Sequence, residues 1–167
     1  RDFSPCGASV RLKATLSTSR KNRPVDMSTV HSQRPSITVS TLDLERLEAL
    51  MAQAPRAALP YVEALETELA RAIAVDPEQM PADVATMNSV LRYRDLATQQ
   101  EHRVTLVYPQ HLASTEGGIS VLAPVGSALL GLRVGQSIHW QVPGGHLIEL
   151  ELLGIDYQPE AAGEYHR

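Results

Sequence analysis

Apolar residues recur along this chain with two different periods, and the change of period divides it into two parts. From Ser40 to Ala74 the spacing is helical. Ser40 followed three residues later by Asp43 is a capping-type helix start. Leu44, Leu47, Leu50 and Met51 then form one stripe that runs to about Gln53. Ala54-Pro55 interrupts it, and Pro60 suits the first position of a second helix reaching about Ala74, with Val62, Leu65, Leu69 and Ala72/Ile73 as its stripe. Two short amphipathic helices joined by six or seven residues predict an antiparallel hairpin, a short coiled coil with arms of about 20 Å. A short extended stretch, Ser36–Val39, precedes it.

Past Asp76-Pro77 and Met80-Pro81 the period falls to about two. Strand-like runs are Ser89–Leu96, His102–Tyr108, Ile119–Leu122, Ser137–Val142 and His146–Tyr157, with a short helix at Pro124–Leu130 stopped by Gly131. In the last two runs every second residue is apolar, the pattern of a sheet with one buried face. Placing Ile138, Trp140 and Val142 on the face of Ile148, Leu150 and Leu152 requires a turn of odd length. Pro143-Gly144-Gly145 supplies three residues, with Gly145 in the left-handed position. That register sets His139 opposite Glu149 on the outer face. The predicted class is α+β: a helical hairpin at 36–76, then a small, mostly antiparallel β-sheet domain with one short helix at 80–160.

Charge separates the first 26 residues from the rest. They hold six Lys/Arg against two Asp/Glu, whereas residues 27–167 hold nine against seventeen. Met27-Ser28-Thr29 reads like an ordinary start of translation, so 1–26 is expected to be a disordered leader outside the fold. Translated upstream sequence, a flexible tail and a transit-type peptide are the competing readings. An acidic body is a poor polyanion binder, because phosphate affinity depends on Lys/Arg displacing counterions; strong nucleic-acid binding is not expected. The lone Cys6 excludes an internal disulfide and a cysteine zinc site, and suits a reducing cytoplasm. The longest uncharged run, Gly117–Leu132, is sixteen residues broken by Pro and Gly, too short for a membrane span.

Catalytic constellations are sparse. The six histidines lack metal-ligand spacing, and Ser114, Ser120 and Ser127 lie in no nucleophile-elbow context. His139–Glu149 reads as a cross-strand contact rather than an oriented base. Arg92 and Arg94 share a strand face, which is either solvated or open to an acidic partner. No cofactor, no metal and no enzymatic activity are expected. Leu122 to Gly131 stands out: a nearly uncharged strand-to-helix passage whose Val125, Leu129 and Leu130 serve either the core or a docking patch.

That segment carries a resemblance. Ile119-Ser120-Val121, Pro124-x3-Ala128-Leu129-x-Gly131-x3-Gly135 and Pro143-Gly144-Gly145 with the strand ending at Tyr157 resemble the C-terminal domain of the GreA/GreB transcription elongation factors. Met80-Pro81, Thr86-Met87-Asn88-Ser89, Thr105-Leu106-Val107-Tyr108-Pro109, Ser137-Ile138-His139-Trp140 and Tyr157–Gly163 are similar to the Rnk branch of that family, regulators of nucleoside diphosphate kinase. The likeness spans about residues 36–165. It implies an FKBP-like sheet domain and a cytoplasmic partner, bacterial RNA polymerase, bound near its secondary channel; the rival it implies is control of nucleoside diphosphate kinase and nucleotide pools, directly or through transcription. The matching docking positions are Leu122, Ala123, Pro124, Val125, Ala128 and Leu129. Gre factors carry a polar pair before the Pro, where this chain has Leu122 and Ala123. Gre coiled-coil tips carry acidic residues that deliver a metal ion for RNA cleavage. Here Ala52–Leu59, with Pro55 and Arg56 at the tip, has no Asp or Glu and so no hard oxygen ligand for Mg²⁺. The resemblance therefore implies binding without cleavage. The FKBP-like fold raises a rival, peptidyl-prolyl isomerase activity, which needs an aromatic-lined pocket; from Met27 on the chain has no Phe and one Trp.

Overall fold

The computed structural model describes residues 35–141 and 145–166. The expectations for 1–26, Val142, Pro143 and Gly144 lie outside the described residues. The chain enters through strand β1 (Thr38–Ser40) and passes directly into helix α1 (Thr41–Ala52). The Ser40 hydroxyl accepts the Asp43 amide at 3.0 Å, the cap that the Ser-x-x-Asp spacing predicts. A single 3-10 turn at Arg56–Ala58 leads into α2 (Leu59–Leu69), with Pro60 in its first turn.

The second helix stops earlier than its stripe suggests. Ile73, placed with Ala72 on the helical stripe by periodicity, instead opens strand β2 (Ile73–Val75) and is 55% exposed. Its amide donates to the Ile37 carbonyl at 2.9 Å, and β2 runs parallel to β1 in the register Thr38↔Ile73. Two β-branched residues within three positions favour extended backbone, and pairing with β1 decides the matter.

The remaining strands are β3 (Val90–Asp95), β4 (Glu101–Val107), β5 (Gly118–Ser120), β6 (Ser137–Gln141) and β7 (Leu147–Tyr157), with helix α3 (Pro124–Leu129) between β5 and β6. They form one curled five-stranded sheet in the order β5-β4-β3-β7-β6. Three ladders are antiparallel, but β5 pairs parallel to β4 because the chain returns through a 3-10 segment, Pro109–Ser114, before β5 begins. In the β6–β7 ladder Ile138 faces Leu150, Trp140 faces Ile148 and His139 faces Glu149. Gly145 has φ +87°, the left-handed conformation expected of it.

Both parts share one core. Leu47 and Met51 from α1 and Val62, Leu65 and Leu69 from α2 join Leu91, Leu106, Leu129, Ile138, Trp140, Leu150 and Leu152 in a single apolar cluster. Helical stripes of this length cannot bury themselves against one another alone, so the sheet completes their burial.

Candidate functional site

The passage from β5 into α3 is built by close approach. Val121 is fully buried and its amide donates to the Val107 carbonyl at 2.9 Å, which carries the chain past the end of β5. Leu122 N donates to Ser120 Oγ at 3.2 Å, and Ala123 N to the Ser120 carbonyl at 2.9 Å, closing a tight turn. Pro124 occupies the first turn of α3, where a missing N–H costs nothing. One turn later Gly126 rests on the strand: a Cβ there would lie 2.1 Å from the Ser120 carbonyl oxygen. The buried Ser127 hydroxyl donates to the Val121 carbonyl at 2.6 Å. Gly131, at φ +75°, ends the segment; its amide donates to the Ala85 carbonyl and its carbonyl accepts the Thr38 amide.

This clamping sorts the six positions at which the sequence leads one to expect docking. Leu122, Ala123, Pro124 and Val125 are half-buried and present a short apolar ridge. Ala128 and Leu129, at 1% and 0% exposure, lie beneath it in the core, as does Leu130. At the opposite extreme, Pro55 and Arg56 are exposed at the tip, and the segment that connects the helices carries no carboxylate. Among the described residues no three His, Cys, Asp or Glu side chains converge on a common metal position, and no helix is long and apolar enough to cross a membrane.

Sequence reasoning missed the polar joint between α1 and the sheet. Asp43, read as a capping acid, is 3% exposed. Its carboxylate accepts the Tyr108 hydroxyl at 3.0 Å and the Met87 amide at 3.3 Å. Burial pushes the Asp43 pKa above the usual carboxylate range, against the opposing pull of these hydrogen bonds and of Arg46. Burial and the Asp43 charge together push the Tyr108 phenol up. Nearby, Thr86 donates to Glu160 at 2.7 Å and bonds Ser89 at 2.8 Å, and burial raises the Glu160 pKa as well. Gln158 donates to the carbonyls of Pro81 and Val84. Thus the runs Met80-Pro81, Thr86–Ser89, Thr105–Pro109 and Tyr157–Gly163, scattered in sequence, meet at one seam. The only local signal was Asp43 at helix position three, which an exposed capping acid shares.

On the outer sheet face the arginines are partnered. Asp156 takes Arg92 at 2.9 Å and Arg103 at 2.8 Å, and these hydrogen bonds hold its pKa low. Arg94 pairs with Glu101 at 2.7 Å and Glu151 at 3.5 Å, and His139 lies 3.4 Å from Glu149. These are exposed contacts of small energetic weight.

Residues 80–157 match the family of the transcription elongation factor GreA/GreB C-terminal domain, and residues 35–75 match the Rnk N-terminus. The chain belongs to the Rnk branch of the GreA/GreB family. It is 51% identical over 132 residues to the regulator of nucleoside diphosphate kinase of Escherichia coli K12, covering 79% of this chain and 97% of that one. To the transcription elongation factor GreA of Chlorobium phaeobacteroides it is 38% identical over 93 residues, 54% of this chain and 58% of that. Among solved structures, a prokaryotic transcription elongation factor GreA/GreB from Nitrosomonas europaea superposes with a TM-score of 0.58 at 45% identity, covering 74% of this chain and all of that one. A Gre-like regulator is thus a matter of family. In Rnk-branch terms, the clamped α3 passage lies in the GreA/GreB-like part, and the carboxylate-free tip lies in the part that matches the Rnk N-terminus.

Proposed function

We propose that this protein is a cytoplasmic regulator that binds bacterial RNA polymerase near its secondary channel, competes there with Gre factors and does not stimulate transcript cleavage. The observation that carries this reading is the α3 passage. Gly126 packed on the Ser120 carbonyl and Ser127 bonded to Val121 hold the ridge Leu122–Val125 in one conformation. A preorganised apolar ridge docks with little ordering cost. In this reading the helices act as a short antiparallel coiled coil beside an FKBP-like domain. Their tip, Pro55-Arg56, offers a cation where cleavage would need carboxylates to hold a metal ion.

The decisive experiment titrates the full chain against fluorescently labelled GreB bound to core polymerase and follows anisotropy. Saturable displacement is expected, with no added RNA cleavage in stalled elongation complexes. No displacement at a large excess over the label overturns the reading. A second reading is favoured by the E. coli relative, which is named a regulator of nucleoside diphosphate kinase. Control of nucleotide pools through transcription reconciles the two, and a kinase pull-down against a polymerase pull-down separates them. A proline-isomerisation assay is expected to be blank.

A further inference from the structure

A cleft of about 600 Å³ lies along α1 beside the polar joint and plays no part in the docking ridge. That volume is in the range of small-molecule sites. One wall is apolar, Ala49 and Leu50 from successive positions of α1. Three carboxamides converge on the cleft from three different segments: Gln53 at the end of α1, Asn88 before β3 and Gln110 after β4. Asn88 is held with φ +59° while its amide donates to the Leu106 carbonyl at 2.7 Å, a conformation Asn tolerates better than most residues. Arg46 brings a positive charge and donates to the His166 carbonyl at 2.8 Å, and the rings of His111 and His166 also line the cleft. Tyr108 stands edge-on to His111, with ring centroids 6.3 Å apart, and directs its hydroxyl to Asp43. Among the described residues no Asp or Glu lines the cleft; Asp43, buried at the joint, interacts electrostatically with Arg46.

We infer that this cleft binds a nucleoside phosphate. Carboxamides pair a donor with an acceptor and so match the edge of a nucleobase, as Asn and Gln do when they read bases. Leu50 and the His111 ring offer surfaces for the base or sugar. Arg46 supplies a guanidinium of the kind that holds phosphate oxygens, and no Asp or Glu stands among the described lining residues. Because the lining comes from α1 on one side and the sheet part on the other, the ligand would bridge the two. This inference is independent of the polymerase reading.

The test is calorimetric titration of the full chain with ADP and with GDP, alongside the parent nucleosides and inorganic pyrophosphate. Saturable one-to-one binding of at least one nucleotide is expected. The exposed pair Gln53→Ala/Gln110→Ala should weaken it at least tenfold without moving the melting temperature. Arg46→Gln should weaken the nucleotide while leaving the nucleoside unchanged. Three results overturn the inference: no saturation by either nucleotide up to about 5 mM, pyrophosphate binding as tightly as the nucleotide, or indifference to the two glutamine substitutions.

Discussion

The α3 passage and the helical tip look alike on paper: each is a short, nearly uncharged segment with a proline at a helix start. In space they differ in kind. Val121 to Gly131 is fastened at both ends, Val121 on the Val107 carbonyl and Gly131 between Ala85 and Thr38, with Gly126 close against the Ser120 carbonyl and Ser127 bonded to Val121 in between. The tip has Pro55, Arg56 and Ala57 exposed, and is closed by local bonds such as Ala58 N to the Pro55 carbonyl at 2.8 Å. Uncharged composition therefore does not distinguish a rigid presentation surface from a simple connector. The number of backbone groups tied to distant residues does, because those ties raise the cost of local opening.

The largest effect should come from breaking the clamp. Gly126→Ala forces a methyl group against the Ser120 carbonyl and is expected to lower stability by about 3 kcal/mol in urea unfolding, with matching loss of polymerase affinity. A neutral result would mean that the passage is not the rigid element described. Next comes the joint. Asp43→Ala leaves the Tyr108 hydroxyl and the Met87 amide without their buried acceptor and should cost about 2 kcal/mol.

Asp43 and Glu160 also set a pH dependence. Both folded pKa values are raised by burial, so their contribution is full below the unfolded values, about 4. It declines as pH rises through the folded values. Stability of the native chain relative to Asp43→Asn/Glu160→Gln should therefore fall as pH rises above about 4; a constant difference would show that burial does not shift these groups. Asp156, held low by its arginines, works in the opposite direction in both proteins and cancels.

Pro124→Glu keeps a residue that α3 tolerates at its first turn, so stability should change by no more than about 0.5 kcal/mol. Polymerase affinity should drop at least tenfold, and unchanged displacement of GreB would remove the ridge from the interface. The smallest effect is at the tip: Arg56→Ala should move stability by less than about 0.5 kcal/mol, since the residue is exposed. A larger loss would make the tip a structural element and erase the contrast with α3.

Much of this was legible without coordinates. The Ser40 cap, the positions of β3 to β7, the Ile138/Trp140 face and the His139–Glu149 pairing follow from local periodicity, because a strand or helix with one buried face must repeat its apolar residues at its own period. The α3 passage was visible as an oddity for the same reason: it breaks the strand period without charge. What the periods could not carry was any choice between local preference and a distant partner. Ile73 fits a helical stripe until β1 offers an edge, and only the fold puts that edge beside it. The same limit hid Asp43, whose spacing from Ser40 announces an exposed cap. Its burial depends on Tyr108 and Met87, 65 and 44 residues away. Sequence alone determined the elements other than β2, and the absence of carboxylates at the tip. Tertiary structure decided which of the proposed docking residues are offered and which, like Ala128 and Leu129, are buried, because burial is a property of what else the chain brings to the same place.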